Sequence, residues 1–283
     1  MKFLKIKIIF LIFFIQIAKA NDGDVLQLKF HKEIPRRNEK ELKIKITGGI
    51  GVFYILPGSD DKIVVIDGYS DKAMGKNFVD VNYFVAEDVG YLEFEMAKSS
   101  AGRISDNEKW YIKLCRDIPT TLDIVLGASK ADIELGGLSL KNLKISTGVS
   151  KTNLKFTNPN KITMKRFEIE TGAAKFEGEK LGNAKFKTLH FSGGVGSFDI
   201  DLSGEILDDA EVNVELGLGE IDIYLPKEVG AIISSSGVFS SGKFDNFFKK
   251  WDKYISFNYE KAQKKISIFI ESGLGNVRVR WID

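Results

Sequence analysis

Seven stretches of this chain repeat one pattern: apolar, any, apolar, any, any, Gly, apolar, small, any, any, any, apolar. The copies are IKITGGIGVFYI around Gly49, LDIVLGASKADI around Gly127, LKISTGVSKTNL around Gly148 and FEIETGAAKFEG around Gly172. They continue as LHFSGGVGSFDI around Gly194, VNVELGLGEIDI around Gly217 and ISIFIESGLGNVRV around Gly273, the last read with one extra residue ahead of its Gly. Apolar residues two apart describe a strand with one buried face. A Gly followed by an apolar and then a small residue describes a corner where a larger side chain would collide. Each copy therefore predicts strand, glycine corner, strand.

The columns are uniform. Three residues before the Gly stand Ile46, Ile124, Ile145, Ile169, Phe191, Val214 and Ile270. Two after it every residue is small: Gly51, Ser129, Ser150, Ala174, Gly196, Gly219 and Gly275. From Gly127 to Gly217 the anchors are spaced by 21, 24, 22 and 23 residues. A fixed period in this range predicts a solenoid, whose units bury their apolar faces only against neighbours. The expected fold is all-β, a single-stranded β-solenoid, irregular at both ends where open strand edges need covering.

Residues 1–20, MKFLKIKIIFLIFFIQIAKA, combine a basic start, a short apolar core and a small-residue end. That pattern predicts a secretory signal peptide, cleaved near Ala20. Four of the 41 basic residues lie in it, so residues 21–283 carry 37 bases against 39 acids. Such a balance does not suit nucleic acid. The lone Cys115, in the strand-like run WYIKLC, reads as a structural thiol. We expect one domain over 24–283: an irregular part at 24–120, regular repeats at 121–230, then an aromatic insertion and final repeat at 231–283. Four further strands are expected at Lys62–Asp67, Val79–Val85, Tyr91–Met96 and Trp110–Cys115, with a polar loop at Ala97–Asn107.

The repeat, together with FTNPNKI (Phe156–Ile162), GEKLGNAKF (Gly178–Phe186), SGGVGSFDIDLSG (Ser192–Gly204) and GEIDIYLPKEVG (Gly219–Gly230), resembles the bacterial toastrack group. These are β-solenoid domains often labelled adhesins, related to the C-terminal domain of cell wall-active antibiotic response proteins. The resemblance spans nearly the whole of 24–283. It implies the fold and a non-catalytic role, and brings no catalytic residues with it. Many relatives carry a membrane-spanning segment beside the domain; none is read here beyond the amino-terminal segment.

Two sets of residues are candidates for an interaction surface. Five residues after each Gly an outward column reads Tyr54, Asp132, Asn153, Glu177, Asp199, Asp222 and Arg278. Coils stacked about 4.8 Å apart would make it an acidic ladder. Lys130, Lys151 and Lys175, two positions earlier, form a basic one. The second set is Phe244, Phe247, Phe248 and Trp251, which with Tyr254 fall at helical spacing. This stripe is either a helical cap sealing the solenoid or an exposed patch for a membrane surface or protein partner.

The expected role is an exported, non-catalytic envelope protein whose rigid surface meets an envelope protein or glycan. The alternative is a polysaccharide-active β-helix enzyme using carboxylates around Asp199 and Asp222, with Asp201 beside them. That chemistry needs two carboxylates about 5–9.5 Å apart, one with a raised pKa. No cofactor or metal is expected. Two His and one Cys do not make an ordinary zinc site. In GGVGSFDID (Gly193–Asp201), Phe198 stands where a calcium nonapeptide needs Asp. His190, alternating with Leu189 and Phe191, should point outward.

Overall fold

The computed structural model describes residues 26–71, 78–96 and 107–282. The expected signal peptide and nearly all of the expected loop at 97–107 lie outside them. The strands are β1 (Gln27–Pro35), β2 (Glu41–Pro57), β3 (Lys62–Ser70), β4 (Val79–Ala86), β5 (Val89–Met96), β6 (Glu108–Leu114), β7 (Thr120–Glu134) and β8 (Leu140–Lys155). They continue as β9 (Met164–Glu179), β10 (Phe186–Asp201), β11 (Ala210–Pro226), β12 (Val229–Phe244), β13 (Phe247–Lys250), β14 (Lys253–Ser256) and β15 (Lys264–Ile282). The four strands expected between Lys62 and Cys115 are β3 to β6, three of their ends unchanged and the others shifted by one to three residues. One 3-10 turn, Leu181–Ala184, is the sole helical element among the described residues.

Why the repeat folds this way is visible in β8. Leu143, Ile145 and Thr147 are buried on its first arm; Ser150, Thr152 and Leu154 are buried on its second. Between them Gly148 and Val149 both face outward. Two successive outward residues invert the alternation, so both arms turn their inner faces to one core. The apolar column one residue after the Gly is therefore not core. Val149, Val195, Leu218 and Leu274 are exposed along the corner. The core gains instead a column four residues after the Gly: Phe53, Ala131, Thr152, Phe176, Phe198, Ile221 and Val277, all buried.

β2, β7, β8, β9, β10, β11 and β15 lie side by side in parallel, with the seven Gly stacked in one row. The pairing of β11 with β15 runs from Val214↔Ile270 to Leu218↔Leu274 without a shift, so the last copy has no inserted residue. The stack explains the Gly. A Cβ on Gly148 would meet the Gly127 carbonyl oxygen at 2.9 Å, and one on Gly172 would meet that of Gly148 at 2.6 Å. Each Gly makes room for the backbone of the coil before it.

The ends are irregular, as expected. β2 pairs with β5 along its first arm and with β6 along its second. Antiparallel β4 then covers β5, and β3 and β1 cover β6 in turn. At the far end chain order breaks: β15 lies between β11 and β12, parallel to both. Antiparallel β14 and β13 follow β12. This corrects the helical stripe. Phe247–Ser256 is a β-hairpin, because the edge of β12 offers unpaired backbone groups that an antiparallel strand satisfies. Asn246 and Trp251, with φ of 61° and 58°, make its turns. Cys115 is free and buried.

Candidate interaction surface

The column five residues after each Gly becomes one row of side chains on the outer face of the second arm. Parallel pairing sets Tyr54 beside Asp132, then Asn153, Glu177, Asp199, Asp222 and Arg278 in sequence. Four of the candidates, Asp132, Glu177, Asp199 and Asp222, thus share a row. The row also runs past both ends. Lys243 pairs with Arg278, while Tyr111, Asp67 and His31 extend it beyond Tyr54. Sequence reasoning missed Tyr111, Asp67 and His31, because β6, β3 and β1 carry no glycine anchor.

The charges in this row are largely matched within the protein. Arg278 donates from Nε to Asp222 Oδ1 at 2.7 Å and from Nη2 to Asp222 Oδ2 at 2.6 Å. The same Nη2 reaches Glu220 Oε2 at 2.7 Å, and Arg280 Nε lies 3.5 Å from Asp222 Oδ1. Lys175 Nζ is 2.5 Å from Glu177 Oε1, and this hydrogen bond holds the Glu177 carboxyl below its ordinary range. Asp199 differs. Burial, then the neighbouring Asp222 and Glu177, push its carboxyl above the ordinary range. The Tyr224 hydroxyl donates to its Oδ1 at 3.4 Å. Toward the other end Tyr54 stacks on Tyr111, centroids 4.6 Å apart, and His31 Nδ1 lies 2.6 Å from Asp67 Oδ1.

Between the acidic and basic rows, near β2, β7 and β8, lies a groove of about 410 Å³. Its walls include Tyr54, Lys109, Lys130, Asp132, Lys151 and Asn153. Lys109 joins the lysine row because β6 pairs Lys109 with Val52, which itself pairs with Lys130. Asn153 Oδ1 is buried there without a hydrogen-bond partner.

Two of the three carboxylates of the hydrolytic alternative are engaged within the protein. Asp222 is gripped by Arg278, and Asp201 accepts from the backbone N–H of Ser203 at 2.7 Å and of Lys180 at 3.2 Å, as a turn residue. Among the described residues no group of three or more His, Cys, Asp or Glu is placed to hold a metal ion.

The aromatic candidates lie elsewhere, at the β12 end, and split in two. Phe244 and Phe247 pack toward the core, Phe244 on Tyr254 at 4.6 Å and Phe247 on Trp281 at 5.5 Å. Phe248 and Trp251 face outward, and Phe257 stacks beside Phe248 at 5.8 Å.

A family model, the N-terminal domain of toast_rack, DUF2154, matches residues 23–177. The chain belongs to the toast_rack family. A second model, cell wall-active antibiotics response LiaF, C-terminal, matches residues 177–279 of this toast_rack chain. The two matches meet inside β9, which pairs with β8 and β10 along both its arms, so the seam is no break in the sheet. No curated protein matches the chain. Among solved structures, a "putative cell adhesion protein" of Clostridium sporogenes is 21% identical, over 89% of this chain and 98% of that one, with a TM-score of 0.49. A "putative adhesin" of Bacteroides fragilis is 12% identical, over 88% and 96%, with a TM-score of 0.39.

Proposed function

We propose that this toast_rack protein is an exported, non-catalytic component of the cell envelope that binds an acidic glycan along the outer face of its second arm. The observation that carries the reading is the groove beside the lysine row. Lys109, Lys130 and Lys151 supply positive charge, and Tyr54, stacked on Tyr111, supplies an aromatic wall. An acidic sugar polymer complements both, its charge meeting the lysines and its ring faces the tyrosine. Parallel coils repeat the lysine position from Lys130 through Lys151 to Lys175, so an extended chain meets the same contact several times. The second family match, named for a cell wall-active antibiotic response, and the basic-apolar-small start at residues 1–20 support an envelope setting. The capture of Asp222 by Arg278 favours binding over hydrolysis.

The test is co-sedimentation of the purified protein with an insoluble acidic wall polymer and with a neutral glucan. Binding to the acidic polymer alone, weakened about tenfold by K130Q/K151Q and by raised salt, is the expected result. Equal binding to both polymers, or release of reducing ends on incubation, overturns it.

A further inference from the structure

The hairpin of β13 and β14 lies apart from the lysine groove, and its two sides differ in kind. One side is anchored. Phe244, Phe247 and Tyr254 pack inward, and Trp281 donates from Nε1 to the Asp245 carbonyl at 2.6 Å. The other side is apolar and open: Trp251 is 88% exposed, Phe257 69% and Phe248 42%. Trp251 also occupies the hairpin turn with φ of 58°. Positive φ favours Gly or Asn, and a bulky side chain there is strained. Folding alone offers no return for a Trp that is strained and covers almost nothing.

The surroundings are basic. Residues 243–265 hold seven Lys and three acids, although 21–283 as a whole carries an acidic excess. Lys249, Lys250 and Lys253 flank Trp251 and are exposed. A Trp at the tip of an anchored loop, apolar neighbours beside it and a ring of Lys around it match the interfacial zone of an anionic bilayer.

We propose that this hairpin docks on an anionic lipid surface, with Trp251, Phe257 and Phe248 entering the interface and the lysines meeting the headgroups. Docking there would hold the solenoid by its end and leave the charged rows free along its side.

The test uses the full chain with vesicles of phosphatidylcholine alone and of phosphatidylcholine mixed equally with phosphatidylglycerol. Tryptophan emission reports the hairpin, since of the three Trp, Trp110 is fully buried and Trp281 stacks on Phe247 at the hairpin's anchored side. The expected result is a blue shift with the anionic vesicles only. The W251N variant, whose Asn suits the turn, should keep the fold and lose the shift. Its vesicle binding should fall about tenfold, and K249Q/K250Q/K253Q should remove the preference for anionic lipid. No shift with either vesicle overturns the proposal. So does W251N binding as the parent does, which would leave the patch to a protein partner. Loss of fold in W251N also overturns it, since Trp251 would then be a structural cap.

Discussion

Arg278 holds Asp222 through two parallel hydrogen bonds, at 2.7 and 2.6 Å, across the boundary between β11 and β15. This joins the last strand of the chain to one 56 residues earlier, beside a carboxylate whose side chain is only 12% exposed. Asp222→Asn leaves the guanidinium facing a neutral amide, and stability should fall by about 2 kcal/mol in urea unfolding. Arg278→Met should cost a similar amount. A double-mutant cycle should show the two losses coupled; strict additivity would mean that the pair contributes nothing.

Asp199 gives the fold a pH dependence. Its carboxyl titrates above the ordinary range, through burial and the adjacent Asp222 and Glu177. Above that raised folded value the group is ionised in both states, and the fold bears the full penalty. As pH falls from the raised value toward the ordinary one of about 3.9, the folded state takes up its proton first and the penalty fades. Asp199→Asn should therefore be more stable than the parent at pH 7, with the gain shrinking through that window. Thermal melts from pH 7 to pH 3 read it directly; a gain that stayed constant with pH would point to packing rather than charge.

The glycine row makes a steric prediction. A Cβ on Gly172 would lie 2.6 Å from the Gly148 carbonyl oxygen, and backbone cannot swing aside. Gly172→Ala should cost about 1–3 kcal/mol. Gly242→Ala, whose nearest neighbour is a ring atom of Phe244 at 3.6 Å, should stay within about 0.5 kcal/mol. Denaturant midpoints of the two variants separate the cases.

Asn160, from FTNPNKI, is a staple between coils. Its Oδ1 accepts from Leu140 N at 2.8 Å, and its Nδ2 donates to the carbonyls of Leu140 at 2.8 Å and Ile162 at 2.7 Å. Asn183, from GEKLGNAKF, acts alike, donating to Phe156 O at 2.8 Å and accepting from Glu205 N at 2.9 Å. Asn160→Ala orphans buried backbone groups and should cost about 2–4 kcal/mol by urea titration. Asn158→Ala, at an exposed position, should be close to neutral. The segments that carry the family resemblance thus hold the fold together.

The coil, the stacking row and the all-β class are legible in the residues because their cause is local and repeated. A glycine that must admit a neighbour's carbonyl recurs at every coil, and so does the apolar pair three and five residues before it. The outward row was legible for the same reason, from Asp132 to Asp222. The fate of each carboxylate in that row was not. Asp222 is neutralised by Arg278 from β15, while Asp199, one coil away, keeps a raised pKa. No spacing in the chain shows that β15 returns between β11 and β12. The apolar residue after each Gly faces outward, as Val149 and Leu274 do, because the corner places two successive residues outside and flips the phase, which the pattern alone does not show. Phe244 to Tyr254 matched a helix by count. The open edge of β12 drew the segment into a hairpin, since backbone groups left unpaired cost more than helical spacing returns. Periodic contacts write themselves into the sequence; contacts between strands far apart in the chain arise only once the coils are stacked.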